Sequence, residues 1–197
     1  MTAARPAYLD DPAACAILDA CAAAGIEARF VGGCVRDAVL GRLSPDIDLA
    51  AAAPPKRIAA ALDDAGLRHE PTGIDHGTLT VVLNGRGFEI TALRRDVATD
   101  GRRATVAFTT HWAEDAARRD FTMNALSMNG DGRLFDPFGG VADAQAGRIR
   151  FVGVAAERVR EDALRILRFF RFTATHGAPP PDAAALEACA EHASLVD

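Results

Sequence analysis

Residues 30–49 read FVGGCVRDAVLGRLSPDIDL, and the fold turns on how this stretch is parsed. Arg29-Phe30-Val31 is short and partly apolar, as a buried strand is. Gly32-Gly33 has no Cβ to obstruct an approaching phosphate, and either glycine tolerates a positive φ. Residues 34–40 have helical character. That sets Gly33 at a helix N-terminus, where free N–H groups and the positive end of the dipole face an anion. A Pro-marked loop leads to Asp46-Ile47-Asp48. Read as a strand, this triplet turns both aspartates to one face, about 7 Å apart. Two carboxylates so placed hold hard cations such as Mg²⁺. A phosphate cradle followed by paired carboxylates is the equipment of two-metal phosphoryl transfer.

The 197 residues, 49% hydrophobic with a formal net charge of -5, suit one well-packed domain or one domain and part of another. An acidic total excludes a chain that is basic all over, though not a local nucleic-acid site. Lys56 is the only lysine, so arginine carries nearly all positive charge, and arginine suits phosphate and base contacts. Cys15, Cys21, Cys34 and Cys189 form no C-x-x-C pair and read as small buried thiols in a reducing compartment. No apolar run approaches the ~20 residues of a membrane span. A soluble, cytoplasmic protein with no membrane partner is the expectation.

Helices are expected over residues 11–24, 56–65 and 182–192, with Gly25 and Gly66 as stops and Asp182 as a cap. Residues 76–83 and 87–93 alternate around Asn84-Gly85, a strong two-residue hairpin signal. On the second strand Phe88, Ile90 and Ala92 share one face, leaving Glu89 on the other. Glu89 is therefore a candidate third carboxylate beside Asp46 and Asp48, or a solvated strand residue. Residues 94–110, charged and holding Asp100-Gly101, read as a mobile loop, either a connector or a lid. Residues 126–128 and 133–135 read as another hairpin across Asn129-Gly130-Asp131-Gly132, and Asp136-Pro137-Phe138-Gly139-Gly140 as a structural turn. Residues 155–175 read as helix, broken near Arg160, with Val159, Ala163, Leu164, Leu167 and Phe170 as its inner stripe.

Two further stretches carry candidate chemistry. Paired arginines in Arg118-Arg119-Asp120-Phe121 could neutralise a triphosphate, or Asp120 could be an N-cap with Arg118 solvated. Asp162 and Arg165 stand three apart on an expected helix surface, where an ordinary ion pair is worth about 0.3–0.5 kcal/mol. The alternative is base reading. Cytosine and adenine offer an amine donor beside a ring-nitrogen acceptor; a carboxylate and an arginine match both. Guanine and uracil reverse the pattern and would leave both groups mismatched.

Gly32-Gly33-Cys34-Val35-Arg36-Asp37 with Asp46-Ile47-Asp48, then RRDFTMNA from Arg118, then Glu161-Asp162-x-x-Arg165, resembles the motif series of the class II tRNA nucleotidyltransferase and bacterial poly(A) polymerase family, within the polymerase β superfamily. The resemblance runs over residues 28–175. It implies an α+β chain: a nucleotidyltransferase head with a mixed, largely antiparallel sheet flanked by helices (residues 1–153), followed by the start of an all-helical neck (154–197). It implies two Mg²⁺ ions on Asp46 and Asp48 as catalytic metal ligands. Nucleotide contacts are implied for Gly32, Gly33, Arg36, Arg119, Asp162, Arg165, Arg168 and Arg171. The implied reaction is template-independent addition of C and A to the 3′ end of tRNA from CTP and ATP, releasing pyrophosphate. The segment Thr72-Gly73-Ile74-Asp75-His76-Gly77 is similar to tRNA-type members, where poly(A) polymerases carry an Arg-rich strand. Poly(A), A-only or CC-only addition remains as an alternative, as does a catalytically silent nucleotide- or RNA-binding regulatory domain. The family continues into a larger helical body and tail, so a chain cut before its tRNA-gripping part is expected. Oligomeric state is not legible.

Overall fold

The structure is a computed structural model and describes residues 5–73, 77–99 and 104–196. Asp11 caps the first helix, α1 (Pro12–Ala23): its Oδ1 accepts from the N–H groups of Ala13 and Ala14 at 3.0 and 3.2 Å. Pro12 takes the first turn, where a backbone N–H has no intrahelical partner to lose. The short helix α2 (Gly33–Val39) follows the first strand, and α3 (Pro55–Asp64) packs on α1, its Ile58 and Leu62 buried in the same core as Ile17 and Cys21.

Strands β1 (Ala28–Val31), β2 (Asp48–Ala51), β3 (His69–Gly73), β4 (Thr78–Leu83) and β5 (Arg86–Ala92) carry most of the main sheet. A separate two-stranded ribbon pairs β6 (Arg94–Thr99) with β7 (Ala104–Phe108). Strands β8 (Ser127–Met128) and β9 (Leu134–Phe135) complete the seven-stranded order β3-β4-β5-β2-β1-β8-β9. Every pair in it is antiparallel except β2 with β5. The hairpin turn has φ of 52° at Asn84 and 75° at Gly85, the two positive values a type I′ turn demands. Phe30, Leu49, Leu79, Phe88 and Ile90 point from the sheet into the core with α1 and α3.

The later helices are α4 (Trp112–Ala117), α5 (Gly140–Ala146), α6 (Ala155–Glu161), α7 (Leu164–His176) and α8 (Ala183–Glu191). Of these, α5 to α8 share a second core with the RRDF segment. Phe121 meets Phe151 and Phe172 at centroid distances of 5.0 and 5.2 Å, and Phe151 stacks on Phe169 at 6.0 Å. The whole is a mixed, largely antiparallel sheet flanked by helices and followed by an all-helical stretch, as expected.

Three expectations need correction. Residues 94–110 are strands β6 and β7 over most of their described length, not a loop. The β-branched residues Val97, Thr99, Thr105 and Val106 favour strand, and Asp100-Gly101, which lies outside the described residues, is as much a hairpin signal as a loop signal. Strand β2 begins at Asp48, so Asp46 stands in the loop before it rather than two residues along one strand face. On α7 the buried stripe is Ile166, Phe169 and Phe172, whereas Leu164, Leu167 and Phe170 are about half exposed. The helix is turned by the pull of Phe121 and Phe151.

The DPFGG turn is structural, as read. Asp136 accepts from Gly140 N–H at 2.7 Å and Val141 N–H at 3.0 Å, holding the first turn of α5. Gly140 backs onto Thr122, where an added Cβ would lie 2.1 Å from the carbonyl oxygen. Gly140→Ala must push α5 away from the RRDF segment, and we expect a loss of about 2–3 kcal/mol, read as a lowered midpoint in urea. An unchanged midpoint would refute that packing argument.

Candidate functional site

The site is assembled where β1 ends and β2 begins, against the RRDF segment and α7. A cleft of about 680 Å³ opens there. One wall is acidic. The parallel β2–β5 pair sets Asp48 in register with Glu89, and register partners on neighbouring strands share a face, so the two carboxylates stand side by side. Asp46, in the preceding loop, does not line this cleft, but its charge acts on Asp48. Burial, then the charges of Glu89 and Asp46, push the Asp48 carboxyl above the ordinary aspartate value, against a smaller downward pull from Arg119.

The opposite wall is cationic. Gly32 ends β1 at φ +69° and ψ −125°, a backbone state that glycine alone adopts without strain. A Cβ there would sit 3.2 Å from Arg119 Nη1, so the turn and the guanidinium are packed together. Gly33 opens α2, but that helix has only two turns, so the arginines rather than the helix dipole supply most of the positive potential. Arg36, nearly buried, donates to Asp37 Oδ1 and to Asn124 Oδ1, each at 2.9 Å.

The anchor of this wall is a residue the sequence reading missed. Asp115, on α4, is 4% exposed and grips both arginines of the motif. Its Oδ1 accepts from Arg118 Nη2 at 2.7 Å and Nε at 3.0 Å; its Oδ2 accepts from Arg119 Nη2 at 3.2 Å and Nε at 3.3 Å. The backbone N–H of Arg94 completes the set at 3.2 Å. Burial would raise the Asp115 carboxyl, but Arg118 and Arg119 outweigh it and hold it below the usual carboxylate range. The signal was present in the spacing: Asp115 lies three and four residues before the arginines, the separations that meet on a helix. Arg118 is thus not simply solvated.

Nor is Asp120 a plain N-cap. Its Oδ1 accepts from Phe121 N–H at 2.8 Å and Asn124 Nδ2 at 3.0 Å, while Oδ2 takes Arg168 Nε at 2.7 Å. Arg168 lines the cleft but is tied to the RRDF segment. Arg171 is exposed, lies over Phe172 and does not line the cleft.

Asp162 and Arg165 both line the cleft, but not as neighbours on one helix surface. Helix α6 stops at Glu161, and Asp162 is extended at φ −155° and ψ 104°. Its Oδ1 accepts from Leu164 N–H at 3.0 Å, the local bond by which aspartate competes with helix. Arg165, 9% exposed, is held instead by Glu161 Oε2 at 2.9 Å, Arg158 O at 3.1 Å and Arg118 O at 2.9 Å.

A family model described as the poly(A) polymerase head domain matches residues 28–150. The chain belongs to that family, within the polymerase β superfamily. Among the family's named proteins, the human mitochondrial CCA tRNA nucleotidyltransferase 1 is 47% identical over 170 residues, which is 85% of this chain and 39% of that protein. The CCA-adding enzyme of Latilactobacillus sakei is 44% identical over 185 residues, 92% of this chain and 45% of that one. A solved family structure, the CCA-adding enzyme of Bacillus stearothermophilus in complex with CTP, superposes with a TM-score of 0.81 at 36% identity, over 91% of this chain and 42% of its own. The chain therefore spans less than half the length of these relatives. Among the described residues no helix is long and apolar enough to cross a membrane.

Proposed function

We propose that this chain is the nucleotidyl-transferring part of a CCA-adding tRNA nucleotidyltransferase, with a head over residues 1–153 and the start of a neck over 154–197. The observation that carries this reading is the two-walled cleft: Asp48 and Glu89 on one side, Gly32 with the Asp115-anchored Arg118 and Arg119 on the other. The names of its relatives favour CCA addition, and the poly(A) name of the family model keeps poly(A) addition as the second reading.

In this reading the triphosphate of CTP or ATP lies along Gly32-Gly33, with Arg119 and Arg36 matching its charge. The acceptor's 3′-hydroxyl oxygen bonds to the α-phosphorus, the bond to the bridging oxygen breaks, and pyrophosphate leaves with that electron pair; the hydroxyl proton passes to water. The acidic wall fits Mg²⁺. Its donors are hard oxygens, and crowding of Asp48 by Glu89 and Asp46 is the repulsion that a cation relieves. Among the described residues no three His, Cys, Asp or Glu side chains form a complete metal cluster, but Mg²⁺ needs only one or two carboxylates, completing its shell with waters and phosphates. Bound there, Mg²⁺ would lower the pKa of the attacking hydroxyl and neutralise the leaving pyrophosphate. Asp46 and Asp48 would hold it, and Glu89 stands beside Asp48 on the neighbouring strand.

Incorporation of labelled CTP and ATP into tRNA lacking its 3′ CCA, with Mg²⁺, tests the reading. Addition of C and A to defined length supports it. Long A tails on arbitrary RNA would favour the poly(A) reading, and no extension by a longer chain containing this domain would defeat both. For base choice, Asp162 would accept from the exocyclic amine and Arg165 would donate to the ring nitrogen, the two groups that CTP and ATP share. Asp162→Ala should collapse the discrimination against GTP and UTP by about tenfold or more, measured as the ratio of kcat/KM values. Unchanged selectivity would remove Asp162 from base recognition.

A further inference from the structure

The acidic wall has a second side. Asp48 and Glu89 line the nucleotide cleft, and the same two residues, with Asp46, line an adjoining cavity of about 500 Å³. In-line displacement places attacking and leaving oxygens on opposite sides of the phosphorus. With the leaving pyrophosphate placed against Gly32 and Arg119, this second cavity, which shares Asp48 and Glu89 with the cleft, lies on the side left for the attacking hydroxyl.

Among the described residues, Arg86 is the only cation lining it. The Arg86 side chain is 53% exposed, lies over the Phe88 ring and donates from Nη1 to Asp11 Oδ2 at 2.6 Å. Arg86 and Ile47 also line a third cavity of about 410 Å³, which adds Arg5 and Arg42. A chain of net charge -5 thus carries a run of arginines leading away from its carboxylate cluster. Arginine on a solvent-facing path suits phosphodiesters, which it can grip through two parallel N–H groups.

We propose that the 3′ end of the RNA acceptor lies along this path, between the 41–47 loop and the β4–β5 hairpin. The terminal hydroxyl sits at Asp46 and Asp48, and the preceding phosphates rest on Arg86 and Arg42. The proposal rests on the nucleotidyl-transfer reading above. Arg86 is a positioning residue for the acceptor and takes no part in binding the triphosphate.

The test compares the wild-type chain with Arg86→Ala, Arg42→Ala, Arg86→Lys and Asp11→Asn. CTP binding is followed by calorimetry. Binding of an RNA minihelix lacking its terminal CCA is followed between about 50 and 200 mM salt. Arg86→Ala should weaken RNA binding about fivefold and lower the slope of log affinity against log salt by about 0.7, the value for one single-strand phosphate contact, with CTP affinity retained. Arg42→Ala should do the same, and Arg86→Lys should recover the slope. Asp11→Asn, which takes away the partner of Arg86, should leave RNA binding equal or tighter. The path is overturned if RNA affinity and salt slope are unaltered in both alanine variants, or if Asp11→Asn weakens RNA as much as Arg86→Ala does, which would assign Arg86 to fastening α1. A wild type that binds CTP but no RNA overturns the path alone; one that binds no CTP overturns the nucleotidyl-transfer reading beneath it.

Discussion

Asp48→Asn is expected to abolish nucleotide transfer and, at the same time, to raise the melting temperature. The two effects have one cause. Asp48 is partly buried beside Glu89 and Asp46, and those surroundings push its carboxyl above the ordinary value. The folded protein therefore holds that proton to higher pH than the unfolded chain does. As pH rises from the unfolded value through the folded one, the unfolded state gains relative to the folded state, and near neutrality the penalty is complete. Asparagine keeps the shape and removes the charge, so a gain of a few degrees is expected at pH 7. It should vanish below about pH 4, where the wild-type carboxyl is protonated in both states. Transfer should fall about a thousandfold or more, since the charge that organises the transition state is gone. Mg²⁺ should raise the melting temperature of the wild type more than that of the variant. Near-normal Mg²⁺-dependent transfer by Asp48→Asn, or a lowered melting temperature at neutral pH, would remove Asp48 from the proposed metal site.

Where local rules suffice, the residues are plain. Asn84-Gly85 takes the two positive φ values its type implies, Asp182 caps α8 through Ala185 N–H, and Gly32 adopts a conformation closed to other residues. The failures arise where distant groups choose between equal local options. On α7, Leu164, Leu167 and Phe170 have the same helical spacing as Ile166, Phe169 and Phe172. Only the rings of Phe121 and Phe151, far upstream in the chain, select the second set. Asp162 fails for a different reason. Helical spacing assumes an unbroken helix, and this carboxylate ends one by taking the Leu164 N–H. The pairing of Asp48 with Glu89 needed the parallel register of β2 and β5, which no local pattern in either strand encodes.

Asp115 fixes one wall of the cleft without lining it. Both arginines of the RRDF segment are fixed by its two oxygens, and Arg119 in turn packs on Gly32 and donates to the Asn124 carbonyl at 3.2 Å. Asp115→Ala leaves two guanidiniums without their counter-charge in a region of low solvent exposure, and we expect about 3–5 kcal/mol of destabilisation. Because such a variant could fail to fold, Asp115→Asn is the sharper probe: it keeps the volume and one acceptor oxygen but removes the charge and turns the other oxygen into an N–H donor facing a guanidinium. We expect it to weaken CTP binding about tenfold or more by releasing Arg119, as removal of an orienting partner does at metal centres. Its pH behaviour should run opposite to that of Asp48. The Asp115 carboxyl is held below its unfolded value, so its stabilisation is present above that value and is lost as pH falls through the folded one. The stability gap between wild type and Asp115→Asn should therefore be widest near neutrality and close on acidification. CTP affinity unchanged in a less stable Asp115→Asn would confine this residue to holding the fold, and the cationic wall of the cleft would then need no anchor.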